Sequence, residues 1–204
     1  IGTSAAFKNK FDHVLPELAD FDLKAHGIVL AGGAISALTD GAASRKYRKY
    51  DYDLFFVGLD EAKADAAITA VGNHLLAGCP TLRVYRTINA VTFVFTESKY
   101  NIYDRCLPVT IQLILRLYST LAEVIHGFDL GSSAAAWDGG TVWYTALGML
   151  AYKYSLNVVN LEVRRWSYER RLVKYAQYGY GIVFPGADPK RFRKAIAKHD
   201  VVVF

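Results

Sequence analysis

The feature that most constrains the fold is the stretch GIVLAGGAISALTDG at residues 27–41, followed by DYDLFFVG at residues 51–58. A short apolar run behind a glycine predicts a buried strand over residues 27–31. The next residues predict a helix that begins at the glycine pair and ends at Gly41. After a basic connection at 42–49, the second apolar run predicts a strand over 52–58, with two aspartates at its start. This stretch thus predicts a glycine pair at the start of a helix and an acidic pair at the start of the next strand.

The rest of the chain predicts further strands and helices around this unit. Residues 4–21 indicate an amphipathic helix that Pro16 kinks, and residues 60–78 a helix capped by Asp60. β-branched and aromatic content predicts strands at 81–87, 90–96 and 109–118, followed by a short helix with a capping box formed by Thr120 and Glu123. A hairpin turning at Asp138-Gly139 is expected over 134–144, with helices at 147–157, 167–179 and 189–199. We predict an α+β fold, a mixed β-sheet flanked by helices, with a core over 1–150 and a basic, mostly helical C-terminal part over 151–204.

Charge is unevenly distributed along the chain. Residues 1–152 carry 13 Lys and Arg against 15 Asp and Glu, whereas residues 153–198 carry 11 against 3. The basic segment predicts contact with a nucleic acid or protein acceptor, and a solvated helical face explains it equally well. No apolar run approaches the roughly 20 residues that a membrane span needs, so no membrane association is expected. Cys79 and Cys106 lack metal-ligand spacing, and we expect an intracellular protein, cytoplasmic or virion-associated, and not a secreted one.

The glycine pair and the aspartates suggest a specific chemistry. Gly32 and Gly33 at a helix start leave backbone N–H groups open to a phosphate, although glycine pairs also make simple tight turns. Alternate residues of a strand point to the same face, so Asp51 and Asp53 project together. Two carboxylates that close repel each other unless a cation lies between them, and Mg²⁺ with substrate phosphates is the natural partner.

The order of strand, glycine pair, helix, basic loop and D-x-D strand resembles the nucleotidyltransferase fold of the DNA polymerase β superfamily. The motif LAGGAISALTDG…KYDYDLFF is similar to the branch of CCA-adding enzymes and poly(A) polymerases. The resemblance implies that Gly32 and Gly33 hold a nucleoside triphosphate and that Asp51 and Asp53 bind Mg²⁺. Ser36 would donate a hydrogen bond to the triphosphate.

Two positions depart from this family's pattern. The arginine-aspartate couple of the helix falls on Ser36 and Ala37, so both charges are missing. The later strand that brings a third carboxylate offers Gln112 instead, with Asp104 and Asp129 as the nearest acids in sequence. Metal-assisted catalysis would be weakened unless another acid substitutes.

A second set of residues is spread over the later strands and helices: Asn89, Ala90, Thr92, Phe93, Ile111, Gln112, Phe128, Asp129, Lys174, Tyr175 and Gly179. With these residues the second half of the chain resembles uncharacterised nucleotidyltransferase-like proteins of phages and large DNA viruses. Arginine is usual in that group where this chain has Tyr178.

Two functions remain open at this point. In the first, the protein transfers a nucleoside monophosphate from an NTP to a hydroxyl acceptor, with Asp51 and Asp53 as catalytic metal ligands. In the second, it is a catalytically degenerate relative that serves as a binding or assembly module, for example in a large DNA virus particle. Arg170, Arg171 and Lys174 lie within one turn of a predicted helix and could form a phosphate-binding patch, although a solvated helix face explains them as well. Trp137, Trp143 and Trp166 are predicted to lie in the core rather than to stack on bases.

Overall fold

A computed structural model describes residues 4–39, 51–79, 81–96 and 108–186. Its centre is a seven-stranded mixed sheet. The strands are β1 (Ile28–Ala31), β2 (Asp51–Val57), β3 (Arg83–Arg86), β4 (Ala90–Phe95), β5 (Val109–Tyr118), β6 (Ala135–Trp137) and β7 (Val142–Tyr144). Their order in the sheet is β3-β4-β5-β2-β1-β6-β7. Neighbouring strands are antiparallel except β2 and β5, which run parallel.

Six α-helices surround this sheet within the described ranges. They are α1 (Ser4–Val14), α2 (Gly33–Thr39), α3 (Glu61–Gly78), α4 (Leu121–His126), α5 (Ala146–Tyr154) and α6 (Tyr168–Gln177). Short 3-10 turns lie at Pro16–Leu18 and Gly131–Ser133, and β8 (Leu156–Val158) pairs in parallel with β9 (Gly181–Val183) as a separate small sheet.

The two faces of the large sheet carry different cores. One face packs side chains of alternate strand residues, such as Leu30, Leu54 and Phe93, with the apolar sides of α1, α2 and α3. The opposite face carries a smaller cluster in which Val29 and Phe55 pack with α4. Because strand side chains alternate, Asp51 and Asp53 lie on the α4 face together with Phe55.

Local sequence signals explain most element boundaries. The Asp60 carboxylate accepts a hydrogen bond from the Lys63 N–H at 2.8 Å and begins α3, as predicted. Thr120 caps α4 in the same way at 3.3 Å, whereas Glu123 closes back on Ser119 rather than on Thr120. The predicted N-terminal helix ends at Val14, and Pro16 starts a 3-10 turn instead of kinking one long helix.

The α+β class and the mixed sheet flanked by helices are confirmed. Residue 150 lies inside α5, so this helix continues across the predicted boundary between core and C-terminal part. The described residues 151–186 contain the end of α5, helix α6 and the two strands of the small sheet. The predicted connection at 42–49 and the predicted helix at 189–199 lie outside the described residues. Among the described helices, none has the length and apolar character needed to cross a membrane.

Candidate functional site

Strand β2 places the two aspartates at the edge of the α4 face. Asp51 is exposed, Tyr52 points into the opposite core, and Asp53 is partly buried. In the register of the sheet, Asp53 lies between Ala31 on β1 and Gln112 on β5. The structure therefore brings the acidic pair to the point where β1 ends and the glycine pair begins.

The turn at Gly32 depends both on the backbone conformation of glycine and on close contacts with neighbouring side chains. Gly32 has φ +86°, a conformation that favours glycine. A Cβ at Gly32 would lie 3.4 Å from the ring of Phe128 and 3.8 Å from the Oδ2 atom of Asp53. The Gly32 N–H donates to the Ala135 carbonyl at 3.1 Å, so this amide extends the sheet.

Asp53 has an unusual electrostatic environment. Burial and, next, the neighbouring Asp51 carboxylate raise the pKa of Asp53 to about 7, while the Lys174 ammonium acts in the opposite direction. Like charges close together and partial loss of solvent both disfavour the ionised form. The positive charge that acts on Asp53 therefore comes from α6.

Gln112 occupies the sheet position next to Asp53 where the resemblance implies a third acid. Its amide nitrogen lies 3.4 Å from the Thr92 hydroxyl oxygen on β4, to which it donates. Within the described ranges, no group of three or more acidic, histidine or cysteine side chains could hold a metal ion. Asp104 lies outside those ranges, so its placement is not described.

Ser36 is placed in α2 with its side chain buried, at 1% exposure. Its hydroxyl donates to the Gly33 carbonyl at 2.9 Å, which is a bond within the first turn of the helix. In this arrangement the hydroxyl is committed to the helix backbone.

Helix α6 supplies residues that reasoning from the sequence did not place at the glycine turn. A Cβ on Gly33 would collide with the hydroxyl oxygen of Tyr175, so this position requires glycine for the approach of α6. The same hydroxyl accepts a hydrogen bond from Ser133 at 2.8 Å. Lys174, the neighbour of Tyr175, is exposed and provides the charge felt by Asp53. The Lys-Tyr pair within the second resemblance was the only sequence signal for this contact.

The three cations predicted as one phosphate patch have different surroundings. Arg171 forms an ion pair with the buried Asp129 and donates to the Ser167 hydroxyl at 2.6 Å. Arg170 is exposed on α6, and Lys174 is the cation that acts on Asp53. Asp129 is therefore bound by an arginine rather than joined to the aspartate pair.

The tryptophans were predicted to lie in the core, and this is wrong for two of the three. Trp137 is buried at 1% exposure, between Phe7 and Phe11 of α1. Trp143 is 47% exposed on the edge strand β7, with its indole N–H bound to Asp138. Trp166 is 99% exposed before α6. Aromatic residue type alone did not distinguish the three positions.

Comparison with known proteins identifies the family. The class that the fold defines is a mixed α+β domain with a paired-carboxylate site at one end of its central strands. The chain belongs to the Gabija anti-defense 2 family, whose model matches residues 5–151. It is also 31% identical over 205 residues to the uncharacterized protein R883 of Acanthamoeba polyphaga mimivirus. That alignment covers 96% of this chain and 44% of the relative, so the chain spans less than half the length of the curated relative.

Proposed function

We propose that this protein is an anti-defence protein that acts against Gabija, and that it does so as a nucleotidyltransferase-like enzyme. It would use Mg²⁺ and an NTP at Asp51 and Asp53 to transfer a nucleoside monophosphate to a hydroxyl acceptor on a nucleic acid or protein. The observation that carries this proposal is the placement of two carboxylates beside the glycine turn, where burial and, next, the Asp51 charge raise the pKa of Asp53 to about 7. Such a pair gains most from a divalent cation that removes the repulsion.

The residues present suit Mg²⁺ in part. Asp51 and Asp53 offer carboxylate oxygens, the donors that Mg²⁺ prefers, and Gln112 next to Asp53 adds a neutral carbonyl oxygen. When bound, Mg²⁺ would polarise the phosphoryl group and neutralise charge on the leaving pyrophosphate. Asp53 would give up its proton on binding the cation, so affinity should increase as pH rises through about 7.

The remaining residues of the site would bind and orient the nucleotide. Gly32 and Gly33 themselves place no side chain at the end of β1, where the Phe128 ring lies close to Gly32 and the Tyr175 hydroxyl lies close to Gly33. The Lys174 ammonium, whose charge lowers the pKa of Asp53, would contact phosphate oxygens. Positioning and electrostatic stabilisation supply most of the catalysis in such transfers.

Transfer is tested with NTPs radiolabelled at the α-phosphate, Mg²⁺, and RNA, DNA and host-cell lysate as acceptors. We expect label to enter one acceptor class, and Asp51→Asn and Asp53→Asn to abolish it. Asp65→Asn, at an exposed position on α3, is the matched control and should retain full transfer. Transfer by Asp53→Asn at the rate of the unsubstituted protein would refute the catalytic assignment.

A second function is favoured by a different observation. The Gly32 N–H is bound to Ala135, the Tyr175 hydroxyl lies at Gly33, and no third acid joins the pair within the described ranges. These features suit a degenerate fold that binds a partner without catalysis, as a binding or assembly module of a virus.

The biological role separates the two functions. Host cells carrying Gabija are infected with a virus that this defence blocks, with and without expression of the protein. We expect expression to restore plaque formation, and Asp53→Asn to remove the effect if transfer is the mechanism. Full restoration by Asp53→Asn would support the binding module, and no restoration by the unsubstituted protein would refute the anti-defence role of this chain.

A further inference from the structure

Asp129 is not part of the Asp51–Asp53 pair, but it binds residues that lie near that pair. Its side chain is 6% exposed, and one oxygen, Oδ2, accepts from the Arg171 guanidinium and from the Arg165 backbone N–H at 3.2 Å. A carboxylate at this depth is stable only when charged or polar groups satisfy it. Asp129 therefore joins the segment after α4 to helix α6, although 42 residues separate Asp129 from Arg171 in sequence.

The segment that carries Asp129 also contacts the glycine turn. Phe128, the preceding residue, lies 3.4 Å from the position of a Cβ on Gly32, and its ring packs edge-on against Phe55. Ser133, four residues after Asp129, donates a hydrogen bond to the Tyr175 hydroxyl. Residues 128–133 thus contact both the turn and α6.

Helix α6 completes the connection one turn beyond Arg171. Its buried stripe, Tyr168, Leu172 and Tyr175, packs against Leu130 and Ala151. An apolar stripe of this kind fixes which face of a helix is buried. The charge-assisted hydrogen bond from Arg171 to Asp129 is directional and, together with the hydrogen bond from Ser133 to Tyr175, specifies the axial position of α6.

We propose that Asp129 is a positioning residue for the Asp51–Asp53 site: by holding Arg171 it fixes the part of α6 that carries Lys174 and places the Tyr175 hydroxyl at Gly33. This inference rests on the proposed function for its catalytic meaning, and the contacts it describes are independent of any nucleotide. Loss of the Asp129 charge lets α6 shift, which displaces Lys174 and opens the packing above Gly33.

The first test follows amide hydrogen exchange in two peptides, residues 168–177 of α6 and residues 28–39 around the glycine turn. Asp129→Asn keeps the shape and removes the charge, and we expect exchange to become about tenfold faster in α6, the equivalent of one lost charge-assisted hydrogen bond, and several-fold faster in 28–39. Arg164→Ala, which breaks the exposed pair with Glu169 on the same segment, is the control and should change neither peptide.

Faster exchange in α6 with no change in residues 28–39 would overturn the proposal, because α6 would then not report on the turn. Unchanged exchange in both peptides would overturn it as well. If Asp129→Asn fails to fold, Arg171→Lys replaces it: this variant keeps the charge and loses the paired donors, so an intermediate acceleration in both peptides is expected.

A second test uses the affinity for ATP with Mg²⁺, measured by calorimetric titration. We expect Asp129→Asn to weaken binding about tenfold, and Lys174→Met to cost much less in the Asp129→Asn background than in the unsubstituted protein. Additive effects would overturn the action of Asp129 through Lys174. If the unsubstituted protein binds no nucleotide, the proposed function fails, while the exchange experiment still decides the positioning role.

Discussion

Replacement of Asp53 by Asn should stabilise the protein at alkaline pH. The side chain is partly buried beside Asp51, and its pKa is raised from 3.8 to about 7, first by burial and then by that neighbour. Each tenfold change in an acid dissociation constant corresponds to about 1.4 kcal/mol, so ionised Asp53 costs the folded state about 4 kcal/mol relative to the unfolded chain.

The sign follows from proton binding. Between pH 4 and pH 7 the folded state holds a proton on Asp53 that the unfolded chain has released, so this carboxyl makes the free energy of unfolding fall as pH rises through that window. Asn at position 53 does not ionise, so the variant lacks this pH dependence. We expect its free energy of unfolding to equal that of the unsubstituted protein near pH 4 and to be larger at pH 8 by a few kcal/mol, up to about 4 kcal/mol.

The assay is urea unfolding in EDTA at half-unit pH steps, followed by circular dichroism. Asp65→Asn, at an exposed position on α3, is the control and should track the unsubstituted protein throughout. Addition of Mg²⁺ at pH 8 should stabilise the unsubstituted protein and not Asp53→Asn, because a bound cation compensates the ionised pair. A stability difference that is absent at pH 8, or larger at pH 4 than at pH 8, would refute this reasoning.

Three smaller changes test other parts of the account. Gly33→Ala should lower the free energy of unfolding in urea by about 1–3 kcal/mol, because the new Cβ meets the Tyr175 hydroxyl on α6. Gly140→Ala is the control: its Cβ has ordinary van der Waals space, so the free energy of unfolding should change little. Equal effects of the two substitutions would contradict the close approach of α6. Thr145→Ala removes the N-cap of α5, where the Thr145 hydroxyl accepts a hydrogen bond from the Gly148 N–H at 3.0 Å. It should lower the free energy of unfolding by about 1 kcal/mol. Lys174→Met should raise the pKa of Asp53 further, because the substitution removes the positive charge that lowers this pKa. The measurement is an NMR titration of the carboxyl group, and an unchanged pKa would show that Lys174 does not act on Asp53.

The sequence predicted those parts of the fold that depend on local signals. The cap at Asp60, the alternation through β2 and the turn at Asp138 are each encoded within a few residues, and the corresponding elements formed where expected. The family resemblance also implied one shared site for Asp53 and the glycine turn, and the antiparallel pairing of β1 with β2 places them side by side.

The contacts around the turn could not be predicted in the same way. Tyr175 contacts Gly33 although the two residues are far apart in sequence. The spacing of Tyr168, Leu172 and Tyr175 along α6 indicates only that this face of the helix is buried. Asp129 could be read as a turn cap or a site acid, and only the tertiary fold shows its arginine partner. Trp166 was assigned to the core by residue type, yet it lies exposed where the chain enters α6.

The central claim is that Asp51 and Asp53 hold a divalent cation together with a nucleotide. It is tested most directly by crystals soaked with Mn²⁺ and a non-hydrolysable NTP, measured at the manganese absorption edge. We predict an anomalous peak about 2.0–2.3 Å from oxygens of both carboxylates, with the nucleotide phosphates between that peak and Lys174. Ordered carboxylates with no peak between them, or a nucleotide bound away from the glycine turn, would contradict the account.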